Sequence, residues 1–131
     1  MRLERLGPVF GAELTNLDLS SITASNGFDE ISELISEHEV LVIRDQRLTA
    51  EEQLNFGRLF GDLAISPFSP RSATQPELIV LETNAQSKRP LTDIWHADET
   101  YKLEPPKFTI LKALVVPQLG GDTMFCSMRG A

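Results

Sequence analysis

Apolar residues recur every three to four positions between residues 26 and 39, at Phe28, Ile31, Leu34 and Ile35. This spacing places them on one face of an α-helix and turns four acidic residues toward solvent: Asp29, Glu30, Glu33 and Glu37. Residues 40–43 form a continuous apolar run rich in β-branched side chains, which is typical of a buried strand. The pattern therefore predicts an amphipathic helix followed directly by a buried strand.

A second helix is predicted after Thr49, because Thr49 and Glu52 have the spacing of a capping box. This helix would bury Leu54, Leu59 and Phe60, and it would end at Gly61, a residue type favoured just beyond helix ends. A loop is predicted at residues 83–90, and Ser127 is predicted to cap a further helix. Short apolar runs bounded by Gly and Pro predict strands at residues 3–8, 11–14, 78–81, 108–116 and 122–125.

The chain is short and acidic, and its composition is otherwise ordinary. At 131 residues it is expected to form one domain at most, and its net charge of −7 argues against a nucleic-acid partner. The single cysteine, Cys126, excludes an intramolecular disulfide and fits a reducing compartment. The N-terminus lacks an apolar signal-peptide region, and no long uncharged apolar run follows. We therefore expect a cytoplasmic protein without a membrane partner.

His96 and Asp98 are the candidate metal ligands of the chain. On a strand, residues i and i+2 point to the same face with Cα atoms about 6.6 Å apart. An imidazole and a carboxylate at that separation can bind one ion, and Trp95 and Ala97 would then face the opposite side. A nitrogen and an oxygen ligand, completed by a second His, suit Fe(II) with open coordination positions better than a closed zinc site. A His-x-Asp pair also arises by chance, so the pair alone does not decide the matter.

Six blocks with characteristic sequences occur in order along the chain. They comprise the opening segment with Leu6-Gly7-Pro8, Gly11-Ala12-Glu13-Leu14 and Leu17-Asp18-Leu19, followed by Val40 to Gln46, Phe56 to Leu63, Trp95 to Asp98, Pro105-Pro106 and Gly120-Gly121-Asp122-Thr123. Together these blocks resemble the taurine and 2,4-dichlorophenoxyacetate dioxygenase family. The stretch through Phe125-Cys126 and Met128-Arg129 is most similar to the phenoxyacetate branch. The order of the blocks is more specific than any single block.

The resemblance implies an Fe(II)- and 2-oxoglutarate-dependent oxygenase that uses O2. The expected fold is mixed α/β, with flanking helices and the first half of a double-stranded β-helix, or jelly roll. Residues 1–131 would be the truncated N-terminal part of this single domain. His96 and Asp98 would hold the iron, and Thr123 would bind the distal carboxylate of 2-oxoglutarate. The third ligand, a His, and a cosubstrate-binding Arg would lie downstream of the chain.

The resemblance also indicates the residues that contact substrate. In the taurine branch a His and a Tyr after the Phe-Gly-x-Leu segment help bind the sulfonate, whereas this chain has Ser66 and Ser69 at the matching positions. Thr92, in place of a family Asn, together with Glu99 and Tyr101, is expected to complete the pocket. We therefore expect a small anionic substrate, a sulfonate or phenoxy acid, other than taurine.

Other interpretations remain open. The chain could be a non-catalytic metal-binding or scaffold fragment of this fold, or a cupin-type binding module, although a cupin would show a further cluster of His ligands. His38, at the end of the first predicted helix, is expected to interact with the helix terminus or pack at the core edge, not to bind metal. An open half barrel would expose Ile110, Leu114 and Val116, so we expect self-association and no activity from the 131-residue chain alone.

Overall fold

The computed structural model describes residues 1–67, 69, 74–82 and 94–131, and these divide between two compact units. The first unit comprises residues 1–62 and 116–131, and the second comprises residues 63–115. Within the described residues, the helices and strands all belong to the first unit, which combines a small sheet with two α-helices. The mixed α/β class is therefore confirmed, while the jelly roll stays a prediction.

The sheet consists of β1 (Arg2–Arg5), β2 (Ala12–Thr15) and β3 (Leu41–Ile43), in that order. β1 pairs antiparallel with β2, and β2 pairs parallel with β3. The predicted early strands are present, but β1 ends before Pro8. The chain reverses between Leu6 and Gly11, where Leu6 N–H donates to the Gly11 carbonyl at 2.9 Å. Gly11 has a φ of 84°, a conformation that side chains disfavour.

Helix α1 (Phe28–His38) connects β2 to β3, within the predicted range. It ends at Glu39, whose φ of 64° turns the chain into the strand. The His38 carbonyl accepts a hydrogen bond from Gly11 N–H at 2.8 Å, so the end of α1 is fixed to the start of β2. A parallel strand pair requires such a crossover connection.

Helix α2 (Ala50–Arg58) begins with the predicted capping box. Thr49 N–H donates to Oε2 of Glu52 at 2.7 Å, and Glu52 N–H donates to Oγ1 of Thr49 at 3.2 Å. The helix ends three residues earlier than predicted. Bonds from the N–H groups of residues 59–61 to carbonyls three residues back tighten the last turn before Gly61, as is common at helix ends.

The core of the first unit forms where the sheet, α1 and α2 meet. Its buried cluster consists of Leu14, Leu19, Ile31, Leu48 and Phe56. An aromatic contact links α1 to the segment just after α2. The Phe60 ring makes edge-to-face contacts with two neighbours, at centroid distances of 5.1 Å to Phe28 and 5.5 Å to Phe56. These contacts confirm the apolar face predicted for α1.

The Gln46 side chain fastens the segment after β3 to the segment after β2. Its Nε2 donates to the Leu17 carbonyl at 2.6 Å and the Arg44 carbonyl at 2.7 Å, while its Oε1 accepts from Leu19 N–H at 3.0 Å. Arg44 also forms an ion pair with Glu13 of β2 at 2.7 Å. The Val40-to-Gln46 block therefore has a structural role in the first unit.

The later strand predictions, at residues 78–81, 108–116 and 122–125, are wrong for the described structure, where all three stretches are irregular. Strands need a neighbouring backbone to complete their hydrogen-bond ladder. Many of their apolar side chains are exposed instead, with Leu114 at 68% and Val116 at 78%. Oγ of Ser127 accepts from Gly130 N–H at 3.0 Å, which caps a turn and not the predicted helix.

The predicted loop at residues 83–90 lies outside the described residues. Among the helices that are described, none has the length and apolar character needed to cross a membrane.

Candidate metal centre

The segment that carries His96 and Asp98 is not a strand, so the predicted strand is wrong here. Residues 95–97 are irregular and a turn begins at Asp98. Glu99 has a φ of 49°, which ends any extended backbone, and Lys102 N–H donates to the Glu99 carbonyl at 3.0 Å to close the turn. Trp95, which the strand hypothesis placed on the face opposite the ligands, is 65% exposed.

The His96 ring is oriented by the backbone two residues earlier. Its Nδ1 lies 2.8 Å from the Ile94 carbonyl oxygen. A carbonyl oxygen only accepts hydrogen bonds, so Nδ1 carries the proton in this contact. In the neutral ring, Nε2 then presents its lone pair, which is the arrangement of a metal-binding histidine whose other nitrogen is held by a carbonyl.

The Asp98 carboxylate presents one oxygen to His96 and the other to Thr109. Its Oδ1 lies 3.4 Å from Nε2 of His96. Its Oδ2 accepts a hydrogen bond from Oγ1 of Thr109 at 2.8 Å. The two candidate ligand atoms therefore lie close together, although residues 95–97 are not part of a strand.

The donor atoms fit a divalent metal ion. Two adjacent ligands with bonds of about 2.1 Å are separated by roughly 3.0–3.4 Å, so one ion could contact both Nε2 and Oδ1 without a large movement. The imidazole and carboxylate suit Fe(II). The side chains are 46% and 50% exposed, which leaves room for further ligands. Among the described residues, no group of three or more His, Cys, Asp and Glu is arranged to hold a metal.

Glu99 and Lys102 form an ion pair beside the candidate ligands. The Lys102 Nζ lies 2.6 Å from Oε2 of Glu99, and the Glu99 side chain is only 17% exposed. Within the described part of the chain, Oε1 of Glu99 is buried without a hydrogen-bond partner. Glu99 was predicted to contact substrate, but its Oε2 is already paired with Lys102 inside the turn.

The other described residues predicted to contact substrate lie on two turns of the chain. Tyr101 is 72% exposed in the same turn. Ser66 and Ser69 lie on another turn of the second unit, where Ser69 N–H donates to the Ser66 carbonyl at 3.0 Å. The Ser69 hydroxyl donates to the Pro76 carbonyl at 2.5 Å. The prediction for Thr92 lies outside the described residues.

Thr123, the predicted cosubstrate anchor, belongs to the first unit, while His96 and Asp98 belong to the second. It is exposed and follows two glycines with φ values of 73° and 72°. A Cβ on Gly121 would approach Pro117 Cγ to 3.1 Å, so the turn before Thr123 favours glycine on both conformational and steric grounds.

His38 is only 3% exposed at the end of α1, in agreement with its predicted packing at the core edge. Its Nε2 lies 3.9 Å from Oε1 of Glu37, and its Nδ1 has no hydrogen-bond partner among the described residues. A cleft of about 310 Å³ in the first unit is lined in part by Asp18, Gln46 and Glu52. These three side chains cap or fasten local structure, so the cleft is not a second candidate site.

Thr109 was missed from the sequence. It stands in the apolar run of residues 108–116, where a threonine is typical of an ordinary strand. Its contact with Asp98 spans eleven residues and depends on the path of the intervening chain. The sequence offered only a weak signal for this contact. Thr109 places a hydroxyl in a largely apolar run, a short distance after the candidate ligand Asp98.

Comparison with known proteins defines the class of this chain. Residues 2–131 match the model of the family described as "Taurine catabolism dioxygenase TauD, TfdA family". The match extends over nearly the whole chain and includes all six blocks. The chain therefore belongs to the TauD/TfdA family of dioxygenases.

Three curated relatives illustrate the range of this family. The chain is 30% identical to the alpha-ketoglutarate-dependent 2,4-dichlorophenoxyacetate dioxygenase of Cupriavidus pinatubonensis, over 96% of the chain and 50% of the relative. It is 33% identical to an alkylsulfatase of Acinetobacter baylyi, over 100% and 41% respectively. It is 34% identical to the (S)-phenoxypropionate/alpha-ketoglutarate-dioxygenase of Sphingobium herbicidovorans, over 96% and 45%. The chain thus spans half or less of the length of these relatives.

Proposed function

We propose that the protein is an Fe(II)- and 2-oxoglutarate-dependent dioxygenase that hydroxylates a small anionic organic substrate. The observation that carries the proposal is the 3.4 Å separation between Nε2 of His96 and Oδ1 of Asp98. Each residue uses its other polar atom in a contact with the chain, which leaves these two atoms available for metal. A simple surface ion pair would not require the His96 ring to be held through Nδ1.

The chain's own residues would have separate roles. His96 and Asp98 hold the metal, and Thr123 donates its hydroxyl to the distal carboxylate of 2-oxoglutarate. Fe(II), 2-oxoglutarate and O2 would together supply hydroxylation of a C–H bond, with succinate and CO2 as products. A third protein ligand and a cation for the cosubstrate would complete the site. The proposed half of a jelly roll would carry His96, Asp98 and Thr123.

The substrate class follows from the relatives and from the changed pocket positions. Two of the three relatives act on phenoxy acids by name, and the third is named as an alkylsulfatase. All these compounds pair an anionic group with an apolar body. Ser66 and Ser69 replace the His and Tyr of the taurine branch, so we propose phenoxy acids or alkyl sulfates and sulfonates as substrates, in preference to taurine.

The test measures succinate formation by the purified protein in the presence of Fe(II), 2-oxoglutarate and O2. The panel comprises phenoxyacetates, alkyl sulfates, alkyl sulfonates and taurine. Asp98→Asn keeps the size of the side chain but removes its charge, and it should abolish turnover because the metal loses an anionic ligand. Asp62→Asn, at an exposed position after α2, is the matched control and should retain activity.

The outcomes separate the candidate functions. Substrate-dependent succinate that disappears in Asp98→Asn supports the dioxygenase, and preferred turnover of taurine would contradict the substrate class. Stoichiometric metal binding without turnover would favour the non-catalytic scaffold. Binding of a small acid without any metal requirement would favour a cupin-type module.

A further inference from the structure

We propose that Thr109 is a positioning residue that orients the Asp98 carboxylate for metal binding. The inference deepens the proposed function and rests on the metal site formed by His96 and Asp98. It concerns a residue that makes no contact with metal itself and acts through one hydrogen bond, from Oγ1 of Thr109 to Oδ2 of Asp98 at 2.8 Å.

The geometry divides the two carboxylate oxygens between two partners. Oδ2 is directed to Thr109, while Oδ1 lies 3.4 Å from Nε2 of His96. Asp98 is 50% exposed, so without a partner its carboxylate would rotate freely about χ2 in water. The hydroxyl of Thr109 restricts that rotation and leaves a single oxygen toward the metal position. Asp98 would accordingly bind the metal through one oxygen.

His96 is restrained in the same manner, which supports this role. The Ile94 carbonyl holds Nδ1 at 2.8 Å, so both candidate ligands have one polar atom fixed by the chain and the other directed to the same place. Partners that orient metal ligands in this way typically change metal affinity by about 10- to 100-fold when they are removed. Of the two groups that hold the ligands, the Ile94 carbonyl belongs to the backbone and the Thr109 hydroxyl to a side chain. Only the hydroxyl can be removed by a substitution.

The chain between Asp98 and Thr109 makes the contact less costly to form. It contains the Glu99–Lys102 turn, closed by a backbone bond of 3.0 Å and an ion pair of 2.6 Å. It also contains Pro105 and Pro106, each of which fixes its own φ and reduces the conformational freedom of the chain. The loop therefore loses less entropy when Thr109 meets Asp98 than a flexible loop of the same length would.

The experiment compares Mn(II) binding by the full chain and three variants, with the Mn(II) electron paramagnetic resonance signal as the readout. Thr109→Val keeps the β-branched shape and removes the hydroxyl, whereas Thr109→Ser keeps the hydroxyl. Asp98→Asn reports whether binding occurs at the proposed site. We expect Thr109→Val to weaken Mn(II) binding at least tenfold, and Thr109→Ser to stay within about twofold of the wild type.

A double-mutant cycle distinguishes positioning from general stability. If Thr109 acts through Asp98, adding Thr109→Val to Asp98→Asn should cause no further loss of Mn(II) affinity. Binding that is weakened by Asp98→Asn but unchanged by Thr109→Val would overturn the role of Thr109 and leave the metal site intact. Binding that does not depend on Asp98 would overturn the metal site and, with it, the role of Thr109.

Discussion

Replacing Gln46 with alanine tests whether the Val40-to-Gln46 block stabilises the first unit or contributes to metal binding. The change removes three hydrogen bonds, to the carbonyls of Leu17 and Arg44 and to Leu19 N–H. A hydrogen bond contributes about 0.5–1.5 kcal/mol net, and the Leu17 and Leu19 contacts are partly buried. Water can replace part of the lost bonding, so we expect the free energy of unfolding to fall by about 2–3 kcal/mol.

This loss is large against the roughly 5–15 kcal/mol that stabilises a typical domain. With a urea m-value of about 2 kcal/mol/M, the midpoint of unfolding should fall by about 1 M or more. The assay is urea unfolding followed by far-ultraviolet circular dichroism, because both α-helices belong to the unit that Gln46 fastens. Gln118→Ala, at an exposed position in an irregular stretch, is the control and should leave the midpoint within error.

Gln46→Glu sharpens the test. It preserves an acceptor for Leu19 N–H but directs a carboxylate oxygen at two carbonyl oxygens where the amide had donated. We expect at least as much destabilisation as in Gln46→Ala, with Mn(II) binding by the surviving folded fraction unchanged in both variants. A wild-type midpoint in either variant would refute the structural role of Gln46.

Two further predictions concern helix α2 and the exposed apolar residues. Thr49→Ala should lower the free energy of unfolding by about 1 kcal/mol because the capping box is lost, while Thr49→Ser should retain most of the stability of the wild type. Thermal unfolding measures the stability of both variants. Equal melting temperatures for the wild type and the two variants would contradict the capping contribution. The 131-residue chain should self-associate because Leu111, Leu114, Leu119 and neighbouring apolar side chains are exposed. Size-exclusion chromatography with light scattering measures this association, and Leu114→Lys should reduce it. A monodisperse wild-type monomer at high concentration would argue against self-association.

The elements that could be predicted from the sequence are those fixed by local signals. The capping box at Thr49 and Glu52 and the apolar face with Phe28 and Ile31 each depend on residues three or four apart. The strands predicted at 108–116 and 122–125 depend instead on a neighbouring backbone, which local sequence does not specify. Apolar character at Leu114 therefore did not determine the local conformation, and the side chain is exposed.

The candidate site likewise has features that follow from local sequence and features that depend on the folded chain. His96 and Asp98 are two residues apart, and their side chains lie close together although the segment is not part of a strand. The conformation of Glu99, with its φ of 49°, and the eleven-residue reach of Thr109 both depend on how the loop closes. Sequence spacing thus predicts which atoms could bind metal, whereas their orientation follows from contacts that only the folded loop provides. Metal affinity should accordingly be sensitive to Thr109, which the motif does not include.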